Sequence, residues 1–475
     1  MHLGELLVLK KAVSRAQLDE ALARQSEGGG KLGDNLVALG ALSQEALDEL
    51  IAQIPAEPDN LRATGINPLD LLNLLLKHIY TARIETVLSF IDALKLPPHL
   101  VQELVNMAVL RELLVAMGGS GATMRYTLSE QGRRWAQDEL KASQYVGPAP
   151  VSLEAFCDRA RLQRISSDQV TFANIHDALT GYYVSDEFIR KIGPALNSGR
   201  AMLLYGPPGN GKTTVALSFA NVFNRVIYTP YAVMIEGQIM RVYDPSLHVQ
   251  AKTPGAYGGS EFGGLRREES DARWVPIRRP FVVTGGELTL EMLDLSYDPA
   301  AGFYEAPLHI KALGGCFVID DFGRQLVSPE TLLNRWIVPM ESRVDYLKLH
   351  TGKSFSIPFE ALVIFSTNLN PEDLMDQAFL RRLPYKIEVG APTPENYRAI
   401  FDGLAAKLGL ELTDEIFSTI IRKIMVERQM PLAAYQPRFI IDQVIAIARF
   451  MGTAPCFDEA SIGYALDNLQ VRQIA

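Results

Sequence analysis

The chain has 475 residues, 48% of them hydrophobic and 21% charged, with a formal net charge of −9. That length allows about three domains, and that composition excludes a disordered chain and a wholesale nucleic-acid binder. Cys157, Cys316 and Cys456 are scattered without metal spacing, which fits a reducing cytosol better than a disulfide framework. No stretch approaches the roughly 18 uncharged apolar residues of a membrane span. The start, MHLGELLVLKKAV, has no charged leader followed by a long apolar run, so the expectation is a cytoplasmic protein without membrane insertion.

Residues 1–56 hold an internal repeat. LGELLV at 3–8 recurs as LGDNLV at 32–37, and SEGGG at 26–30 separates the copies. Each copy carries apolar residues at helical spacing and reads as a short helix, a turn and a second helix. Neither could bury its face alone, so the two should pack together. The pair resembles the cyclic-di-GMP-binding N-terminal module of type II secretion and pilus assembly ATPases. That module has two copies of R-L-G-x-x-L-L-x-x-G-L-L-x-x-x-x-L-x-x-x-L-x-x-Q with a spacer of the length found here. His2 stands for the first Arg, Lys11 for the first inner Gly, Lys31 for the second Arg and Ile54 for the second Gln. The resemblance implies a regulatory module that takes cyclic di-GMP, with the Leu-Gly turns at Gly4 and Gly33 approaching the ligand. The alternative is a degenerate repeat that docks partners.

A polar stretch among Pro55, Pro58 and Pro68 reads as a linker. Over 60–143, helical patterns run through LDLLNLLLKHI, ARIETVLSFIDAL and PHLVQELVNMAVLRELL. A glycine break at 118–121, a strand at 124–128 and a helix capped by Ser129 follow. This order resembles a winged-helix domain. Basic and acidic residues balance over 59–143, whereas a DNA reader shows a basic excess, so a protein contact is favoured over DNA. QYVGPAP at 144–150 opens the next linker, taken to 171.

The core of the chain is expected at 172–390. An apolar strand at 201–205 runs into GPPGNGKTT, in which Gly206, Gly211, Lys212 and Thr213 fill G-x-x-x-x-G-K-[ST]. Such a loop turns its backbone N–H groups inward around phosphate oxygens, so Gly206, Pro207, Pro208, Gly209, Asn210, Gly211, Lys212, Thr213 and Thr214 form the candidate ATP cradle. Lys212 reaches the β- and γ-phosphates and the Thr213 hydroxyl holds Mg²⁺. RVIYT at 225–229 reads as the second strand. Cys316–Ile319 is another apolar strand ending in Asp320 and Asp321, a Walker B arrangement: Asp320 belongs to the Mg²⁺ shell and Asp321 polarises the attacking water.

A further apolar strand at 361–365 leads into Ser366, Thr367 and Asn368. AFLRRLPYKIEV at 378–389 follows, and helices over 391–475 form a lid in which QPR at 436–438 opens one helix. Taken in this order, the motifs resemble AAA+ ATPases, and the segment 328–365, read as a helix, a strand at 343–349, a turn at 351–353 and a strand, resembles the hairpin of the MoxR-like and helix-2-insert branches. The resemblance implies an α/β fold: a P-loop core with a parallel sheet flanked by helices, a C-terminal helical lid, and small helical-repeat and winged-helix-like domains in front. It also implies Asn368 as the water-orienting sensor, Arg381 and Arg382 as fingers acting on a neighbour's nucleotide, and Arg438 as the sensor of the lid.

Where the family has Glu, Asp321 is one methylene shorter. A long insertion at 243–313 contains YGG at 257–259 and FGG at 262–264, which is either a client-gripping loop or an ordinary surface loop. The expectation is an ATP- and Mg²⁺-dependent motor acting on a protein client as a homo-oligomeric ring, a hexamer being the expected size. A DNA-bound regulator and a nucleotide-gated switch with negligible turnover are the alternatives.

Overall fold

The computed structural model describes residues 4, 7–8, 12–29, 32–47, 53–118, 124–182, 184–223, 225–251 and 270–469. His2, Lys11, Lys31 and the glycine-aromatic runs at 257–259 and 262–264 lie outside the described residues. Among the described residues no helix is long and apolar enough to cross a membrane.

In the N-terminal repeat, helix Arg15–Gly28 starts at a capping box. The Ser14 hydroxyl accepts from the Gln17 N–H, and the Gln17 side chain accepts from the Ser14 N–H. Leu7, Val13, Leu18, Leu36 and Leu47 bury one another between the copies. A Cβ on Gly4 would lie 2.6 Å from Leu18 Cδ1, and one on Gly33 would lie 2.8 Å from Leu47 Cδ2. Leu18 and Leu47 occupy equivalent places in the two copies. Packing inside each copy therefore requires the glycines that the sequence suggested for close approach of a ligand.

Helices Pro68–Ala82, Val87–Leu94 and Pro98–Leu110 are followed by an antiparallel hairpin, Leu114–Gly118 with Arg125–Leu128, and by helix Glu130–Ala142. The third helix stops short of the expected Leu114. Glu112 turns to φ 58°, and Leu114 pairs with Leu128 instead. The stretch at 144–150 is packed rather than slack. Tyr145 is buried, the Ala149 N–H donates to the Leu94 carbonyl at 2.9 Å, and the Lys77 ammonium donates to the Ser143 carbonyl at 3.0 Å.

The central sheet has five parallel strands: β1 (Met202–Tyr205), β2 (Phe281–Thr284), β3 (Cys316–Ile319), β4 (Leu362–Thr367) and β5 (Tyr385–Glu388). Their spatial order is β5-β1-β4-β3-β2. The inner strands read as continuous apolar runs because both faces are covered. Met202, Leu204, Val318 and Ile364 face helices Asp186–Ser198 and α1 (Lys212–Ser218). Leu203, Phe317, Val363 and Phe365 face α2 (Pro329–Ser342), which contributes Leu332, Leu333 and Trp336. The architecture is thus α/β, a parallel sheet flanked by helices. After it come α3 (Pro394–Lys407), helix Asp414–Arg422, α4 (Gln436–Met451) and helix Glu459–Leu469, with a core of their own around Tyr397, Phe401, Ile440, Val444 and Leu466.

RVIYT is a strand, Val226–Pro230, but it does not join this sheet. It pairs antiparallel with Trp274–Arg278, and β2 takes the place beside β3. Strand periodicity fixes a strand's faces, not its neighbours. The segments on either side of β2 build a second sheet of Ser296–Asp298, Phe303–Glu305, Gln238–Arg241, Ala232–Ile235 and Val151–Ser152, in that order. The expected insertion at 243–313 therefore contains the edge strand of the central sheet.

A buried ion pair fastens the front of the chain to the segment that leads into strand Trp274–Arg278. Arg273 and Asp271 are 4% and 3% exposed, with Nη2 and Oδ2 2.8 Å apart. Arg273 Nη1 also donates to the Pro150 carbonyl at 3.1 Å and the Thr64 carbonyl at 3.4 Å, and the Asp271 N–H donates to the Pro55 carbonyl at 2.9 Å. Removing one partner of such a pair leaves a buried charge uncompensated. Arg273→Ala should cost about 3–5 kcal/mol in urea unfolding and expose the 144–150 segment to protease. Unchanged stability with unchanged cleavage would contradict the clasp.

Candidate functional site

The phosphate loop is shaped by three glycines with positive φ: Gly206 at 140°, Gly209 at 78° and Gly211 at 85°. At Gly206 a Cβ would stand 2.5 Å from the Val389 carbonyl oxygen, so glycine lets the loop leave β1 beside the end of β5. Gly211 is the N-cap of α1. Lys212 is 5% exposed and folds back on its own loop, donating to the Gly206 carbonyl at 2.9 Å and the Pro207 carbonyl at 2.8 Å. Burial lowers its pKa below the usual lysine range, and the Asp320 and Asp321 carboxylates oppose that shift.

Two strand ends meet this loop. The Thr213 hydroxyl donates to Asp320 Oδ2 at 2.8 Å, joining α1 to the end of β3. Asn368, just past β4, donates through Nδ2 to Asp321 Oδ1 at 3.0 Å. Asp321 sits at φ 47°, a region L-residues avoid, and its turn is braced from beneath. Gln325 Nε2 donates to the Asp320 carbonyl at 3.2 Å, and Gln325 Oε1 accepts from the Gly323 N–H at 2.8 Å. The Thr367 hydroxyl donates to the Phe322 carbonyl at 2.7 Å. Sequence reasoning missed Gln325: a lone glutamine after the carboxylate pair carries no signal until the fold buries it.

These groups line one end of a cavity of about 840 Å³, which is within the range of small-molecule sites. Gly209, Asn210, Gly211, Lys212, Thr213 and Thr214 reach its wall, whereas Gly206, Pro207 and Pro208 form the outer turn. The rest of its wall sets apolar side chains beside Glu187, Lys191, Asn396 and Lys407. Tyr182 and Phe188 come from before β1, and Ile400 and Leu404 from α3 of the lid. None of these four was picked out from the sequence, because a pocket wall assembled from distant helices leaves no local pattern. Hydroxyl and carboxylate oxygens at Thr213 and Asp320 are the hard donors that suit Mg²⁺, and the loop amides with Lys212 suit a polyphosphate.

The three arginines lie elsewhere. Arg381 is exposed, Arg382 forms an ion pair with Glu341 on α2, and neither reaches the cavity wall of its own chain. Arg438 is exposed on α4, where its Nε meets both Asp442 carboxylate oxygens at 3.1 and 3.0 Å.

A family model described as a domain of unknown function, DUF8689, matches residues 393–468, the helical lid. No curated protein matches the chain. Among solved structures, NtrX from Brucella abortus is similar at 13% identity with a TM-score of 0.37, over 63% of this chain and 58% of that one. The chain thus spans less than two thirds of the length of NtrX. RuvB from Thermotoga maritima, described as a Holliday junction branch migration motor, is similar at 15% identity with a TM-score of 0.32, over 61% of this chain and 70% of that one. The parallel sheet flanked by helices, the phosphate loop after β1 and the helical segment that follows make an α/β P-loop fold.

If Thr213 and Asp320 share a metal, Thr213→Val should remove the Mg²⁺-dependent part of nucleotide affinity and leave the part measured in EDTA. Calorimetry with and without Mg²⁺ checks this, and an equal loss under both conditions would count against the metal role.

Proposed function

We propose that the chain is an ATP-hydrolysing AAA+ motor that remodels a protein client as a homo-oligomeric ring, a hexamer in the simplest case. The observation that carries the reading is the Thr213–Asp320 hydrogen bond at the polar end of the cavity, beside the Asn368–Asp321 pair. Thr213 and Asp320 would hold Mg²⁺, Lys212 would meet the β- and γ-phosphates, and Asp321 would polarise a water oriented by Asn368. Mg²⁺ supplies charge neutralisation on the phosphates when bound. The shorter Asp321 gains direction from its braced turn and from Asn368.

Arg381 is exposed and Arg382 is half-buried on Glu341, both away from their own cavity, which supports their acting on a neighbour in the ring. Arg438 would have to leave Asp442 to reach a γ-phosphate. A protein client is favoured over DNA because the apolar residues Leu110, 84% exposed, and Met117, 67% exposed, stand out on the third helix and hairpin of the middle domain. Exposed apolar surface marks protein contacts, whereas DNA contacts need a basic excess. The N-terminal repeat is read as the regulatory input. Cyclic di-GMP is its candidate ligand on the pseudo-two-fold pairing of the copies, although Gly4 and Gly33 are engaged in packing.

Lys212→Ala should abolish or greatly weaken ATP binding in calorimetry. Asp321→Asn should keep binding and lose turnover. Parent protein that binds ATP at the mass of a ring yet shows no turnover would leave the nucleotide-gated switch. A gel shift weakening steeply with salt would instead favour the DNA-bound regulator. For the repeat, titration of cyclic di-GMP into the full chain should give saturable heat that His2→Arg strengthens; no heat from either protein would leave a docking module.

A further inference from the structure

The phosphate loop is gripped from the side of the lid. The loop before α4 is rigid: Gln436 is fully buried, its Oε1 accepts from the Ala433 N–H at 3.0 Å, and its Nε2 donates to the Pro431 carbonyl at 3.0 Å. So held, it presents two backbone donors to the phosphate loop. The Ala434 N–H donates to Asn210 Oδ1 at 3.2 Å, and the Tyr435 N–H donates to the Gly209 carbonyl at 3.0 Å. The Tyr435 ring lies so close over Gly209 that a Cβ there would stand 2.3 Å from its Cδ1. Gly209 is thus required twice, for its φ of 78° and for this ring. Asn210 is buried, and its Nδ2 has no partner among the described residues.

We propose that Asn210 and Tyr435 are positioning residues that latch the helical lid onto the phosphate loop, setting the lid's wall against the base of a bound nucleotide. The inference rests on the ATP reading and deepens it. Phosphate capture belongs to Lys212 and the loop amides, while the lid contributes Ile400 and Leu404 to the cavity wall, which Asn210 and Tyr435 also line. A latch that acts only through the lid therefore matters for a ligand long enough to touch both the phosphate loop and the lid. Inorganic tripolyphosphate reaches the loop and ATP reaches both. A direct role of Asn210 on the phosphates would run through its unpaired Nδ2 and would affect both ligands.

The test is calorimetric titration of Mg²⁺-ATP and of Mg²⁺-tripolyphosphate into the full chain and into Asn210→Ala, Tyr435→Ala and Tyr435→Phe. Asn210→Ala and Tyr435→Ala should each weaken ATP about three- to tenfold, the scale of one lost neutral hydrogen bond or ring contact, and leave tripolyphosphate within about twofold. Tyr435→Phe keeps the ring and the N–H and should match the parent. Tyr435 is partly exposed, so its truncation keeps the test valid even where Asn210→Ala disturbs the loop. Equal weakening of tripolyphosphate by both alanine variants, or parent-like ATP affinity in both, would overturn the latch. A parent that bound neither ligand would overturn the nucleotide reading and the latch with it.

Discussion

The site depends on one hydrogen bond between residues 107 positions apart, from the Thr213 hydroxyl to the Asp320 carboxylate. Thr213 lies on the helix that follows β1, and Asp320 lies at the end of β3. β4 runs between the two strands, so the contact forms only when the register across all three is fixed. The parallel sheet supplies that alignment: β1 and β4 end level, Tyr205 opposite Thr367, and β3 ends two residues short of them, Ile319 opposite Phe365, so that Asp320 and Asp321 continue to the level of the phosphate loop. Loops leaving the carboxyl ends of such strands converge on a crevice, which is where ligands sit in open α/β sheets. Asn368 and Asp321 face each other for the same reason.

The parts of this arrangement that were legible in sequence share a physical cause. A phosphate loop needs glycines at fixed offsets, and a strand buried on both faces needs an unbroken apolar run. Both constraints act within a few residues, so MLLY, CFVI and LVIFST announced themselves together with the polar residues at their ends. The placement of β2 was not legible. FVVT and VIYTP are equally good strands, and only the packing of Val282 beneath Phe317 and Leu203 distinguishes the one that joins the sheet. Gln325 and the apolar residues of the cavity wall escaped for a related reason. Their roles come from partners far along the chain, and no local spacing records a distant partner.

The glycines of the N-terminal repeat carry the opposite lesson. A Leu-Gly turn repeated in two copies looks like a pair of ligand contacts, yet Gly4 and Gly33 each face a leucine of their own copy. Close packing and close approach of a ligand make the same demand on a residue, the absence of a side chain, and sequence alone does not separate them. Arg381, Arg382 and Arg438 raise the matching problem for charge. Each was expected to meet a phosphate, and within one chain Arg382 pairs with Glu341 and Arg438 with Asp442.

The second sheet has a consequence for the order in which the chain takes shape. Its strands come from before the core, from the segment ahead of β2 and from the segment after it: Val151 pairs with Val233, and Met240 with Tyr304. Such pairings close long loops, and that entropy must be met before any contact repays it. The middle domain, with neighbouring helices and a hairpin, has short loops to close and can form early. The second sheet must wait until residues as far along as Tyr304 have emerged. Until then the strand Gln238–Arg241, already paired with Ala232–Ile235 on one side, keeps its other edge open, and a chain interrupted in that interval would offer that edge to any strand that met it.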